Sequence, residues 1–93
     1  MYRILVSSRA KKALRRLRKS GAFPLEKFDA AIECLRMGGS LPANLRDHAL
    51  HGDLASFREF HVGVDLLVQY RREDLARVIT LVRVGTHSEL FGS

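Results

Sequence analysis

The second half of the chain contains several side chains that exchange protons near neutral pH or bind phosphate. They are His48, His61, Asp65, Arg83 and His87. Imidazole can act as a general acid or a general base, and guanidinium binds phosphate through two parallel hydrogen bonds. RNA cleavage needs a base for the ribose 2′-hydroxyl, an acid for the leaving 5′-oxygen and cationic donors for the phosphorane. These residue types match that chemistry, which needs no metal.

Hairpin geometry predicts that these residues meet. If the chain makes a three-residue turn after His61, then His61 and Asp65 face each other, with α-carbons roughly 4.5–5.5 Å apart. A second hairpin would place Arg83 opposite Leu66 or Asp65. A one-residue slip reverses every side chain, so only the second register puts Arg83 on the face that Asp65 uses. We therefore expect Asp65 opposite Arg83, with His87 within reach of both.

The elements that must position these residues begin with a strand and two helices. Residues 2–7 are rich in strand formers, and Ser8 is a candidate cap for a helix with apolar residues at helical spacing, which ends at Ser20-Gly21. Pro24 suits the first turn of a second helix, which ends at Gly38-Gly39. The pattern predicts a helical hairpin.

The rest of the chain predicts strands. Residues 40–53 are polar and rich in turn formers, which indicates an irregular connection. Three runs rich in Val, Ile, Leu and aromatics follow at Phe57–Val62, Leu66–Arg72 and Arg77–Val84. Residues 85–93 are expected to form a short polar tail anchored by Leu90-Phe91. We predict one α+β domain over residues 1–93, with an antiparallel sheet of about four strands covered on one face by the helical hairpin.

The charge of the chain is unevenly distributed. Sixteen Lys and Arg against ten Asp and Glu give a net charge of +6, and residues 1–25 hold eight basic and no acidic side chains. Positive charge at this density favours a polyanionic partner. The seven basic residues of the first helix are therefore candidates for contact with RNA or the ribosome: Arg9, Lys11, Lys12, Arg15, Arg16, Arg18 and Lys19.

Other features exclude several classes of protein. The single cysteine, Cys34, cannot form an internal disulfide, which fits a reducing cytoplasm. The apolar runs are too short for a membrane span, and we expect neither a signal peptide nor a membrane partner.

Three motifs resemble one known family. They are Asp47-His48-x-Leu50-x-Gly52, then Arg58-Glu59-x-His61-x-x-x-Asp65 with Tyr70, then Arg83-x-Gly85-Thr86-His87-Ser88-x-Leu90-Phe91. In this order they resemble the YafQ-type toxins of type II toxin–antitoxin systems, within the RelE/ParE superfamily. The resemblance implies a RelE-like fold and an endoribonuclease that cleaves messenger RNA on the translating ribosome. It also implies a cognate antitoxin that holds the toxin inactive, and no cofactor.

The same resemblance implies roles for individual residues. His48, His61, Asp65 and His87 match the catalytic set, Arg83 the phosphate stabiliser and Phe91 an aromatic that positions the substrate. We expect His87 to act as general acid and Asp65 as general base, although coupled titration can exchange such roles. A tryptophan commonly follows the aspartate in this family. Here the position is Leu66, so any base stacking by that ring is lost.

Several alternatives remain open. His48, His61, Asp65 and His87 are all possible zinc ligands, but only the weak His48-x-x-His51 pair has close ligand spacing. A ParE-like toxin that inhibits a protein such as DNA gyrase would share the fold without the chemistry, and so could a plain RNA- or ribosome-binding protein. His51 lies outside the motifs and is expected to be solvated, while Gly85 is expected to serve a turn.

Overall fold

The structure, a computed structural model, describes residues 1–52 and 56–92. The elements in chain order are β1 (Arg3–Val6), α1 (Ser8–Lys19), α2 (Leu25–Arg36), β2 (His48–Ala49), β3 (Phe57–Val62), β4 (Leu66–Glu73), β5 (Val78–Thr86) and α3 (His87–Phe91), with a 3-10 turn at Ala43–Leu45. The predicted α+β architecture is confirmed. The sheet has five strands in the order β1-β5-β4-β3-β2, one more than expected.

Helix α1 begins at a serine cap. The cap is Ser7 and not Ser8, because the Ser7 hydroxyl accepts a hydrogen bond from the Ala10 N–H at 3.0 Å. Ala10 and Leu14 are buried, whereas all seven basic side chains of the helix are exposed. This amphipathic pattern turns the apolar side of α1 to the sheet and its cationic side to solvent.

Helices α1 and α2 cover one face of the sheet and enclose the core. Phe28, Ala31 and Leu35 of α2 are buried against strand residues that include Phe60 and Tyr70. The rings of Phe60 and Tyr70 meet edge to face at 5.7 Å between centroids. The other face of the sheet, called here the open face, carries the polar side chains.

The strands join in a mostly antiparallel sheet. β3, β4 and β5 form the predicted meander, and β1 pairs in parallel with the first half of β5. The expected irregular connection contains β2, which pairs His48 with Glu59 and Ala49 with Arg58. Two exposed residues, a histidine and an alanine, carry no strand pattern, so this strand could not be expected from the sequence.

Strand β5 contains one extra residue. Gln69 pairs with Arg83 while Tyr70 pairs with Leu81, so Val82 lies opposite no residue of β4. The Ser7 hydroxyl donates to the Val82 carbonyl at 2.8 Å. Because a bulge shifts the alternation by one residue, Leu81 and Val84 both face the core, and Arg83 faces the open side.

The expected polar tail is a strand end and a helix. β5 continues to Thr86, and α3 follows with a capping box in which the Thr86 hydroxyl and the Glu89 carboxylate each accept from the other residue's N–H. Gly85 lies inside β5 and does not serve a turn. A Cβ there would lie 3.1–3.3 Å from Glu89 and Leu90, so glycine lets α3 pack closely on the open face. Among the described helices, none has the length and apolar character needed to cross a membrane.

Candidate active site

Four polar side chains form a row across the open face. His48, Glu59, Gln69 and Arg83 are successive pairing partners on β2, β3, β4 and β5. Paired residues of neighbouring strands project from the same face, so the register itself puts the four side chains together. This polar row connects the histidine side of the face with the arginine side.

Glu59 is the buried centre of the polar row. Its residue exposure is 4%, and its Oε2 accepts a hydrogen bond from the Gln69 amide at 2.9 Å. Its Oε1 lies 3.6 Å from Nε2 of His48. A buried carboxylate needs such partners because an unpaired one carries a large desolvation cost. Glu59 therefore fixes the position of its neighbours on the open face.

The segment that carries His48 is anchored by Asp47. The Asp47 carboxylate accepts from the Tyr70 hydroxyl at 2.7 Å and from Nε of Arg58 at 3.2 Å. Burial and the neighbouring Asp47 carboxylate raise the pKa of Tyr70, which keeps the hydroxyl protonated as a donor. These contacts fix the backbone immediately before His48.

Arg46 connects the two histidines of this side. Its carbonyl lies 2.7 Å from Nδ1 of His48, and its guanidinium Nη2 lies 3.1 Å from Nδ1 of His61. A guanidinium can only donate, so Nδ1 of His61 is the acceptor. The two imidazole centroids are 6.0 Å apart. Partial burial lowers the pKa of His61, and the positive charge of Arg46 lowers it further, with Glu59 opposing.

Asp65 and His87 meet at the other side of the open face. Oδ1 of Asp65 lies 3.3 Å from the backbone nitrogen of His87, which donates to it, although 22 residues separate them in the chain. The predicted pairing of His61 with Asp65 is wrong, because His61 pairs with Leu67 and the turn consists of residues 63–65. Asp65 is therefore a turn residue beside the N-terminus of α3.

Arg83 lies between the two sides. It pairs with Gln69, so the predicted pairing with Asp65 is also wrong; the bulge at Val82 and the longer β4 change the register. Its Nη2 donates to the Leu90 carbonyl at 3.3 Å, and its Nε is the buried side-chain nitrogen that has no partner among the described residues. The described residues thus leave one buried guanidinium N–H of Arg83 without an acceptor.

Phe91 lies on α3 beside His87. The two rings are one helical turn apart and their centroids are 5.0 Å apart. Phe91 is 47% exposed, which is high for a large apolar side chain. Arg16 of α1 forms an ion pair with Glu89 at 2.7 Å, and this contact connects α3 to the cationic helix α1. The exposed aromatic ring and the histidine together border the open face.

The six residues predicted as catalytic fall into two groups joined by one residue. His48 and His61 form the first, Asp65, His87 and Phe91 form the second, and Arg83 belongs to the polar row that joins them. His61, Leu67 and Gly85 are consecutive pairing partners. Strands are about 4.8 Å apart, so the backbones of His61 and Gly85 are separated by roughly 10 Å.

Sequence reasoning missed three residues of this site. Glu59 stands two positions before His61 in a strand, and period-two alternation could have put both on one face. Gln69 carried no signal of its own. Arg46 adopts a left-handed backbone conformation with φ of 52°, which is uncommon for arginine and could not be predicted from the sequence.

Two further expectations can be compared with the structure. Leu66 is 7% exposed and belongs to the hydrophobic core, so its side chain does not reach the open face. His51 is exposed, as expected. A group of three possible metal ligands, His48, Glu59 and His61, has its donor atoms within 4.8 Å of one another, and it differs from the ligand set considered from the sequence.

The fold and the open face together define a small α+β protein with a histidine-rich site, and comparisons with known proteins identify its class. Residues 2–92 match the family model of the bacterial toxin of type II toxin–antitoxin systems, YafQ. The chain belongs to this family.

Individual relatives agree with the family assignment. The chain is similar to the mRNA interferase toxin YafQ of Escherichia coli K12, at 38% identity over 52 residues, which covers 56% of this chain and 54% of the relative. The match therefore spans about half the length of that curated relative. Among solved structures, it resembles a copper-bound mutant toxin from Helicobacter pylori, with a TM-score of 0.88, 31% identity and coverage of 98% and 100%. It also resembles a toxin chain in the Escherichia coli DinJ-YafQ complex, with a TM-score of 0.86, 27% identity and coverage of 99% and 100%.

Proposed function

We propose that this chain is an endoribonuclease toxin that cleaves messenger RNA on the translating ribosome, without a metal cofactor, and is neutralised by a cognate antitoxin. The observation that carries the proposal is the meeting of Asp65 with His87 at the edge of the open face. The Asp65 carboxylate accepts from the backbone N–H of His87, so a proton acceptor adjoins the residue whose imidazole can donate a proton. The names of the relatives support the same reaction class, since the Escherichia coli protein is called an mRNA interferase.

The proposed reaction is an attack by a ribose 2′-oxygen on the adjacent phosphorus. Asp65 takes the 2′-hydroxyl proton, the new bond from the 2′-oxygen to phosphorus forms, and the bond to the 5′-oxygen breaks. His87 gives its proton to the leaving 5′-oxygen. The products are a 2′,3′-cyclic phosphate and a 5′-hydroxyl.

The remaining polar groups would stabilise the charge of the transition state. The phosphate would lie between the group of His48 and His61 and the group of Asp65, His87 and Phe91. The guanidinium of Arg83 would donate to a phosphoryl oxygen. His48 and His61 would orient or stabilise the phosphate from the other side, and Phe91 would stack on a neighbouring base.

A cleavage assay on translating ribosomes tests the proposal. The purified protein is added to ribosomes that translate a defined message, and the 5′ ends are mapped, with the same message free of ribosomes in parallel. Proton transfer by a positioned side chain contributes about 10²–10⁴-fold, so His87→Ala and Asp65→Ala should each lower the cleavage rate by that order. His51→Ala, which removes an exposed histidine outside the site, should cleave as the unaltered protein does.

The assay also separates the alternatives. Equal cleavage by the unaltered protein, His87→Ala and Asp65→Ala would refute the mechanism. Growth arrest without any cleavage would favour a toxin that binds a protein target. Equal cleavage of free and ribosome-bound message would refute the ribosome dependence and leave the proposed cleavage mechanism in place. Co-expression with the neighbouring reading frame should relieve growth arrest, and continued arrest would argue against an antitoxin encoded there.

A further inference from the structure

Arg46 occupies a corner of the chain that does not require an arginine. It lies between the 3-10 turn Ala43–Leu45 and β2, with a left-handed backbone at φ of 52°. Its N–H donates to the Ala43 carbonyl at 3.0 Å, and its own carbonyl lies 2.7 Å from Nδ1 of His48. Glycine and asparagine adopt this backbone conformation more readily than arginine does. The long cationic side chain is therefore not explained by the local backbone.

The guanidinium of Arg46 has no carboxylate partner in the described part of the chain. It is exposed, and its side-chain hydrogen bond goes from Nη2 to Nδ1 of His61 at 3.1 Å. Arg58 in the same region, by contrast, donates to the Asp47 carboxylate. A guanidinium has five N–H groups, and it binds anionic oxygens more strongly than neutral acceptors. Arg46 therefore retains donors for an anion at the side of the site.

Arg46 and Arg83 lie at different sides of the open face. β2 is the edge strand of the sheet, and Arg46 lies two residues before it. Its guanidinium contacts His61, whereas the Arg83 guanidinium contacts the Leu90 carbonyl of α3. Neighbouring strands are about 4.8 Å apart and β2 is three strands from β5, so these two strands are separated by roughly 14 Å. The phosphate proposed beside Arg83 therefore leaves Arg46 for another phosphate of the same RNA strand, nearer the β2 edge.

We propose that Arg46 binds the phosphate of the RNA next to the scissile one and anchors the substrate at the β2 edge of the open face. The inference rests on the proposed function, because it names a further contact of the same substrate. RNA is favoured over an acidic protein segment because the guanidinium borders an imidazole of the site. A contact remote from the reacting bond stabilises the ground state and the transition state alike. Arg46 therefore acts on substrate affinity and not on the chemical step.

Single-turnover cleavage on programmed ribosomes, measured over a range of protein concentrations, separates affinity from the chemical step. Arg46→Met keeps the backbone contacts and removes every side-chain donor. It should raise the half-saturating concentration by about tenfold and leave the maximal rate unchanged. Arg46→Lys retains the charge and should recover part of the affinity. Arg77→Met is the matched control, because Arg77 is also exposed and left-handed, with φ of 55°, but lies in the turn between β4 and β5. It should cleave as the unaltered protein does.

Uncharged phosphate analogues identify the group that Arg46 contacts. Synthetic messages carry one methylphosphonate each, at successive positions on either side of the scissile phosphate. At one neighbouring position the analogue should weaken binding of the unaltered protein about as much as Arg46→Met does. The two changes together should then cost no more than either change alone, because both remove the same contact. At the other positions the effects of the analogue and of Arg46→Met should add.

Additive effects at every position, or a lower maximal rate with unchanged half-saturation in Arg46→Met, would refute the contact. Loss of antitoxin binding in Arg46→Met with unaltered cleavage kinetics would also refute it and would assign the guanidinium to an acidic segment of the antitoxin. Absence of cleavage by the unaltered protein would refute the proposed function. Affinities for the same programmed ribosomes, measured without cleavage, would still decide whether Arg46 contacts a phosphate.

Discussion

His61 shows how a single residue depends on its surroundings. Its imidazole is partly buried and accepts a hydrogen bond from Arg46, and both circumstances disfavour its protonated form. Its pKa is lowered from the ordinary value of 6.5. The ring is therefore kept neutral at physiological pH, so it accepts hydrogen bonds and binds metal more readily than a charged imidazole would.

The lowered pKa of His61 can be measured by nuclear magnetic resonance. A pH titration of its ring signals should give a pKa below 6.5, and Arg46→Asn should raise that pKa because a nearby positive charge is removed. Arg3→Gln, which removes one charge from β1 at the opposite edge of the sheet, should leave it unchanged. A pKa insensitive to Arg46→Asn would contradict this account of the histidine.

The same pKa gives the stability of the protein a pH dependence. Below about pH 6.5 the unfolded chain protonates His61 while the folded chain does not, so the unfolding free energy decreases as pH falls through the folded pKa. His61→Gln should reduce this dependence in urea denaturation between pH 7 and pH 5. An unchanged slope would assign the pH dependence to other groups.

At the scale of single residues, the sequence predicted that Asp65 and His87 lie close together, but it did not predict the strand pairing. The Asp65 carboxylate does contact the backbone of His87, whereas His61 pairs with Leu67 and not with Asp65. A turn that begins one residue later is enough to change the partner, and the residues around Gly63 permit both turns. Such a shift leaves the same types of residue near the turn, but it changes which residues pair across the two strands.

At the scale of elements, α3 determines where His87 and Phe91 lie. It has only five residues and depends on the capping box between Thr86 and Glu89, on the ion pair with Arg16 and on the Asp65 carboxylate. The sequence contained this signal, because Thr86-His87-Ser88-Glu89 has the spacing of a capping box. The strand β2, in contrast, has no pattern that a sequence could show.

Loss of the cap should loosen α3 without changing a catalytic group. Thr86→Ala should cost about 1 kcal/mol of local stability, because the Glu89 N–H loses its acceptor. That amount corresponds to about fivefold faster hydrogen exchange at the Gly92 N–H. This N–H donates to the Ser88 carbonyl at 2.7 Å and forms the last hydrogen bond of α3. Cleavage should fall as well. Thr86→Ser keeps the hydroxyl and should restore both, and unchanged exchange in Thr86→Ala would show that the cap does not hold α3.

At the scale of the whole molecule, the cationic helix and the candidate active site form one surface. α1 packs on the core side of the sheet, but β1 covers β5 only as far as Leu81. Beyond that point Arg9 and Arg16 of α1 lie beside Arg83 and α3 around the free edge of β5. Positive charge thus extends from the helix to the site, which favours a polyanion that reaches both.

The salt dependence of ribosome binding should report this surface. Each cation that contacts a phosphate contributes about one to the slope of log affinity against log salt concentration, so Lys11→Gln with Lys12→Gln should weaken binding and lower the slope by up to about two. Arg3→Gln with Arg77→Asn removes the same charge near the start of β5 and should have a smaller effect. Equal slopes in both double variants would mean that only the net charge matters.

The overall architecture was the part most completely predicted. The sequence pattern predicted two helices and four strands near their observed bounds, because each segment turns apolar side chains to the same core. The parallel pairing of β1 with β5 joins segments more than seventy residues apart, and no local pattern encodes that contact. The polar row also depends on long-range register, so its members could not be collected from the sequence.

The extra residue Val82 divides β5 into two parts in which inward and outward side chains alternate differently. Ahead of it, odd-numbered residues such as Ile79 and Leu81 point inward, and after it the even-numbered Val84 does so. A simple odd-even rule applied along the whole strand would bury the guanidinium of Arg83 and expose a valine. The strand is therefore two short segments of opposite alternation, and removal of one residue at their junction would exchange open-face and interior side chains in the rest of β5.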